Sequence, residues 1–302
     1  MSYLLELDSV HKQYQSVIAV NHLSLHVPPS CIFGLLGPNG AGKTSLIRII
    51  TGITRPDSGS IRFMGKPMNS DMYSLIGYMP EERGLYKKMT VGEQLIYLCR
   101  LKGYSKEQAE ASVRHWLEKF EIVSWWNKKI EELSKGMSQK VQFIATVAHK
   151  PRLIILDEPF SGLDPINTNL IKDEILQLKN EGASILFSTH RMEQVEELCE
   201  EIVLVNKGTN VLHGPVTEIR QQYRENLYEI SLDRPANPDD ALGFEIVSAD
   251  SNLIRVRLQN GQSTNELISN LIHKGYHLQG FKEVLPTFND IFIKTVNESS
   301  HE

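Results

Sequence analysis

Residues 31–45, CIFGLLGPNGAGKTS, decide the fold. Cys31 to Leu36 is an apolar run of strand character. Gly37-Pro38-Asn39-Gly40-Ala41-Gly42-Lys43-Thr44 follows with the spacing Gly-x-x-x-x-Gly-Lys-Thr, and SLIRIITGI (45–53) carries apolar residues at helical spacing. Strand, glycine-rich loop and helix in that order make a phosphate-binding loop. Glycine is required because the backbone must curl round phosphate oxygens with its N–H groups turned inward, at the positive end of a helix. On this reading Gly37 to Ser45 cradle a polyphosphate, the Lys43 ammonium reaches its outer phosphates, and the Thr44 hydroxyl is a ligand for Mg²⁺.

Working outward, a phosphate loop that serves hydrolysis needs an acid for the metal and a group that orients or deprotonates the attacking water. Residues 151–159, PRLIILDEP, supply both. Leu153 to Leu156 is a continuous apolar run, as expected of a parallel strand buried on both faces, and Asp157 and Glu158 follow at its C-terminal end, where open α/β sheets bind ligands. Asp157 is assigned to the metal and Glu158 to the water as general base. Asp164 and Pro165 start a helix as cap and first residue. A further apolar run, Ala183 to Phe187, leads into Ser188-Thr189-His190, which places His190 on the same sheet edge, within reach of a terminal phosphate.

Composition narrows the class. The chain has 302 residues, long enough for a large domain with an appendage, and no apolar run approaches the roughly 18 residues of a membrane span. The N-terminal sequence lacks the pattern of a secretory signal, so a cytoplasmic location is expected. Cys31, Cys99 and Cys199 are far apart and odd in number, which favours small core residues over disulfides or a metal site. A net charge of −5 offers no general attraction to nucleic acid.

These segments, with Leu133-Ser134-Lys135-Gly136-Met137 ahead of a helix expected at 138–149, resemble the ATP-binding subunit of ATP-binding cassette (ABC) transporters over about residues 3–218. LSKGM is similar to the family signature LSGGQ; Lys135 and Met137 depart from it, while Ser134 and Gly136 remain. The resemblance implies an α/β fold: a P-loop NTPase cassette with a RecA-like core, an antiparallel β subdomain and an α-helical subdomain at about 75–150. It implies ATP and Mg²⁺ as ligands, Tyr14 stacked on adenine, and a second copy whose ATP is contacted by Ser134 and Gly136. Asp164, in Ser161-Gly162-Leu163-Asp164, matches the loop between the two sites. Glu81, in GYMPEERGLY (77–86), stands where the family has a glutamine that joins Mg²⁺ and the attacking water to the membrane subunit; Arg83 or the metal would offset its charge. Turns of this kind are similar to those of the sodium-export branch.

Thr90-x-x-Glu93, Ser105-x-x-Gln108 and Ser263-x-x-Glu266 are capping-box patterns that mark helix starts. After Gly214-Pro215 the pattern changes, and 222–298 reads as a small accessory α+β domain with strands in NLYEISL, ALGFEIVSA, NLIRVRL and GFKEV and a last helix from Phe288. From Arg220 onward the net charge is −4, which makes this domain a poor nucleic-acid binder. The resemblance implies an ATPase that dimerises on MgATP and drives a separately encoded membrane permease, lying on the inner face of the cell membrane through it. An exporter of sodium, drug or antibiotic type is expected. The alternative is a soluble ABC ATPase acting on ribosomes or DNA, disfavoured by the single cassette, the acidic balance and the absence of a coiled-coil insertion.

Overall fold

In the computed structural model, which describes residues 3–81, 84–235, 237 and 243–298, two compact units divide between Val216 and Thr217. The first unit opens with β1 (Leu5–Tyr14), β2 (Val17–Val27) and β3 (Ile32–Leu36), then α1 (Lys43–Ile50), β4 (Ser58–Phe63), β5 (Lys66–Pro67) and β6 (Ile76–Met79). Three helices follow, α2 (Val91–Leu101), α3 (Lys106–Lys119) and α4 (Lys135–Val147), and then β7 (Leu153–Asp157), α5 (Pro165–Asn180), β8 (Ser184–Thr189), α6 (Met192–Leu198), β9 (Glu201–Asn206) and β10 (Thr209–Pro215).

β3 lies inside a six-stranded sheet of order β10-β9-β3-β8-β7-β6, in which all pairings except β10–β9 are parallel. The apolar runs at 32–36 and 153–157 are buried at every position because helices and a second sheet cover both faces. That second sheet, antiparallel in the order β2-β1-β4-β5, packs through Leu5, Leu7, Leu25 and Phe63 on α1 and on the Phe33, Leu35, Ile155 and Leu186 face. Each such buried side chain contributes about 1.5–3 kcal/mol relative to exposure. All three cysteines are buried and free.

The two helices expected after Thr90 and Ser105 form with complete capping boxes. Trp116 packs on Phe120 and Phe143 between α3 and α4, and Trp126 packs under the Arg114 guanidinium, 4.3 Å from its ring centre. Two details depart from the sequence reading. Residues 76–79 are not part of a helical layer: they form β6, paired with β7 at the sheet edge. Helix α4 begins at Lys135 rather than 138, because the Ser134 hydroxyl accepts from Met137 N–H (3.3 Å) and so caps it inside the signature itself.

The second unit contains most of α7 (Val216–Gln222), then β11 (Leu227–Leu232), β12 (Glu245–Asp250), β13 (Leu253–Arg257), α8 (Thr264–His273), β14 (Leu278–Val284) and α9 (Phe288–Glu298). Its antiparallel sheet has the order β12-β13-β11-β14. Strand β11 alternates, with Tyr228, Ile230 and Leu232 buried on Leu267 and Leu271 of α8. The opposite face is charged: Glu229 accepts from Arg255 (2.9 Å) and Lys282 (2.6 Å) across neighbouring strands, and Arg257 pairs with Glu245 (2.8 Å) and Glu225 (3.3 Å).

Candidate nucleotide site

Because β3, β6, β7 and β8 run parallel, their C-terminal ends fall along one edge of the sheet. Leu36 is level with Thr189, Asp157 with Ser188, and Met79 with Leu156. The residues that leave these strands therefore converge: the phosphate loop from β3, Pro80-Glu81 from β6, Glu158 from β7 and His190 from β8. They border a cleft of about 330 Å³ lined by Asn39 to Ser45, Glu81, Asp157, Glu158 and His190, with Val17, Ile18 and Ala19 from the start of β2. Gly37 and Pro38 lie just behind this lining as carbonyl acceptors for Lys43.

The phosphate loop is held open by its own lysine. The Lys43 ammonium donates to the carbonyls of Gly37 (2.6 Å) and Pro38 (3.1 Å), so it lies across the loop. Gly42 has φ +107, and a Cβ there would stand 2.1 Å from the Ala19 carbonyl, so only glycine fits. As the N-cap of α1, Gly42 offers no side chain to the first-turn N–H groups, and the first turn holds no acid. Helices α2, α3, α4, α5 and α8 all carry a side-chain cap. The bare end of α1 is thus a ready anion site.

Three carboxylates share the cleft with this single ammonium. Burial pulls the Lys43 pKa down, against the opposing pull of Glu158, Asp157 and Glu81. Burial pushes the Asp157 carboxyl up; Glu81 and Glu158 add to the rise, while Ser188 and Lys43 oppose it. The excess negative charge, with the Thr44 hydroxyl and carboxylate oxygens of Asp157 and Glu81, suits a hard divalent cation. Among the described residues no three His, Cys, Asp or Glu side chains form a metal cage on their own.

Glu158 is engaged on both oxygens. Oε1 accepts from the His190 backbone N–H (2.8 Å) and faces His190 Nδ1 (2.6 Å), and Oε2 accepts from the Thr189 hydroxyl (3.2 Å). A carboxylate only accepts, so Nδ1 carries the proton. Glu158 itself sits at φ +50, in the left-handed region, with its N–H on the Ser188 carbonyl (2.9 Å).

The remaining predicted residues lie outside the cleft lining. Tyr14 ends β1 as an exposed side chain with Lys12 5.5 Å from its ring centre; Val17, Ile18 and Ala19 line the cleft instead, and no motif marked them. Ser134 and Gly136 occupy the N-terminus of α4. Asp164 caps α5 by accepting from Asn167 N–H (3.0 Å). Signature and inter-site loop touch within the chain: Lys135 lies against Gly162, and Leu163 lies beside Gly136. Arg83 lies outside the described residues.

A P-loop lysine after β3, an uncapped helix, and the buried acids Asp157 and Glu158 at the end of β7, gathered at one edge of four parallel strands, define a nucleoside-triphosphate hydrolase of the P-loop class. The ABC transporter family profile matches residues 20–161, and the profile of the DrrA1-3-like ATP-binding protein C-terminal domain matches residues 214–296. An uncharacterized ABC transporter ATP-binding protein of Bacillus subtilis (strain 168), YhaQ, is 44% identical over 301 residues, which cover 97% of this chain and 98% of that protein. Nod factor export ATP-binding protein I of Burkholderia thailandensis is 35% identical over 236 residues, covering 77% of this chain and 78% of its own. A solved ATP-binding subunit of an ABC transporter superposes with a TM-score of 0.69 at 30% identity, over 73% of this chain and 93% of that one. The chain belongs to the ABC transporter ATP-binding proteins and is an ATPase of that family.

Proposed function

We propose that two copies of this chain close head-to-tail around two MgATP molecules and drive a separately encoded membrane permease in an export direction. The observation that carries the proposal is the separation of its two halves. The cleft gathers Lys43, Thr44, Glu81, Asp157, Glu158 and His190, whereas Ser134 and Gly136 of the same chain do not line it. The Ser134 hydroxyl and the remaining first-turn N–H groups at the exposed start of α4 would meet another molecule's nucleotide.

In this reading Gly37 to Ser45 hold the phosphates, and Thr44, Asp157 and Glu81 hold Mg²⁺. The ion, when bound, neutralises phosphate charge. Tyr14 packs on the adenine. Glu158 accepts the proton of the attacking water, oriented by Thr189 and His190, and His190 contacts the terminal phosphate. Asp164 links the two sites. The family limits 1–218 for the cassette and 222–298 for the accessory domain are part of the proposal.

Partner and direction rest on coarser support. Tyr86 and Tyr97 meet edge to face, 6.0 Å apart, and are exposed together with Leu101, one turn further along α2. This apolar stripe beside the Glu81 turn suits a helix of a membrane subunit. Among the described residues no helix is long and apolar enough to cross a membrane, so such a partner would supply the spans and hold this chain at the inner face of the membrane. Export is favoured by the accessory-domain profile and by the relative whose name is Nod factor export; sodium, drug or antibiotic cargo is proposed as the class. A net charge of −5 gives no support to a nucleic-acid partner.

Light scattering on the Glu158→Gln chain tests the dimer. It should be monomeric without nucleotide and dimeric in MgATP, and the dimer should fail when Ser134→Glu is added. A monomer at saturating MgATP would sink the head-to-tail reading.

A further inference from the structure

On either side of Glu81 the backbone is attached to two helices by buried glutamines, at Pro80 and at Tyr86, residues 82–83 between them lying outside the described residues. On the near side, Gln142 of α4 donates from Nε2 to the Pro80 carbonyl (2.8 Å). On the far side, the Tyr86 N–H donates to Oε1 of Gln94 on α2 (2.8 Å). Both glutamines are buried, at 3% and 0% exposure. The orientation of each amide is dictated by its partner: a carbonyl accepts, so nitrogen faces Pro80, and an N–H donates, so oxygen faces Tyr86.

The arrangement is expensive as packing alone. Gln142 Oε1 and Gln94 Nε2 are buried with no hydrogen-bond partner among the described residues. A half-satisfied amide in an apolar layer is less favourable than an isosteric methionine. What the amides do provide is a fixed attachment of each end of the turn. The backbone at its start is also pressed on α4: a Cβ on Gly77 would stand 2.2 Å from the Thr146 carbonyl. One helical turn before Gln142, Gln139 Nε2 donates to the Pro159 carbonyl (2.8 Å), directly after Glu158. The signature helix thus grips the chain next to both acids.

We propose that Gln94 and Gln142 are positioning residues for Glu81. By fastening its turn to α2 and α4 they make the placement of the Glu81 carboxylate in the cleft depend on the helical layer. The inference rests on the reading of Glu81 as a working member of the nucleotide site.

The test uses the full-length chain and the variants Gln142→Met and Gln94→Met, each made alone and with Glu81→Ala. Positioning predicts that each methionine lowers ATP turnover by about 10- to 100-fold, the range for a displaced catalytic group, and raises the Mg²⁺ concentration needed for half-maximal rate. Binding of ATP without Mg²⁺ should stay within about twofold, since it depends on the phosphate loop. In the nucleotide-free chain, hydrogen exchange at Tyr86 should speed up in Gln94→Met. With Glu81→Ala already present, the methionines should change turnover by less than about twofold, because residues acting as one unit are not additive.

Should a methionine variant not fold, a second pair serves. Gln94→Glu keeps an acceptor for Tyr86 in either protonation state and should retain turnover, whereas Gln142→Leu removes the donor to Pro80 and should lose it. Equal effects of this second pair, undiminished turnover in folded methionine variants, or equal losses with and without Glu81 would overturn the inference. If Glu81→Ala alone leaves turnover unchanged, the reading of Glu81 falls and this inference with it. If Glu81→Ala slows turnover and the methionine losses simply add to it, only the inference falls.

Discussion

The nucleotide cleft and the outer face of the C-terminal sheet both collect charged side chains, and they treat them in opposite ways. On the sheet, Glu229 has a cation on each neighbouring strand, and Arg257 has two carboxylates. Each charge there finds its opposite in the same chain. In the cleft, among the described residues, Asp157, Glu158 and Glu81 face a single ammonium, that of Lys43, which is turned to loop carbonyls, and only Glu158 has a further partner, His190. Balanced charge is architecture; buried charge left unbalanced marks a place where something else must bind.

Four substitutions would break or sharpen this contrast. Glu158→Gln keeps the shape and removes the proposed proton acceptor. Phosphate release should fall at least ~100-fold while ATP still binds, and near-normal release would remove Glu158 from the role of base. Glu81→Ala should lower turnover by about 10- to 100-fold, as expected of a group that supports a metal site, with ATP affinity retained. Unaltered coupled transport would return Glu81 to an ordinary surface acid.

Asp157→Asn tests the imbalance itself. Burial holds this carboxyl above its ordinary pKa, so its charged form is disfavoured in the folded chain. The nucleotide-free Asn variant should therefore melt higher than the parent at pH 7, even though it loses Mg²⁺-dependent hydrolysis. The gain should shrink as pH falls through the raised pKa, because the parent then becomes neutral as well. Equal melting of the two chains would mean that the charge is already compensated. Glu229→Ala should do least: its partners Arg255 and Lys282 are exposed and screened, so turnover should not change and any loss of melting temperature should shrink in high salt.

The contrast also explains which parts could be read in advance. The phosphate loop, the capping boxes and the buried run before Asp157 are written in neighbouring residues, because each depends on local backbone geometry or on burial of one strand. What sequence proximity does not carry is pairing at a distance. The four residues Ile76-Gly77-Tyr78-Met79 are too few to give a periodic signal, and β6 exists because β7 offers it an edge. Ala19 reaches the cleft because its carbonyl meets Gly42. Gln142 and Gln94 look like ordinary helix residues until the carbonyl and the amide they hold, 62 and 8 positions away respectively, are known. Ser134 was legible as a signature residue, but its second use as the cap of α4 moved the helix start by a turn.

The backbone of Glu158 sits at φ +50, which costs an L-residue about 1 kcal/mol or more and costs glycine almost nothing. Glycine would ease that backbone but leave the Thr189 hydroxyl and both His190 donors without this acceptor. The side chain thus anchors its own backbone, fastening the end of β7 to the end of β8. Glu158→Gly should therefore melt no higher than the parent, and a higher melting temperature would show that the strain outweighs those bonds.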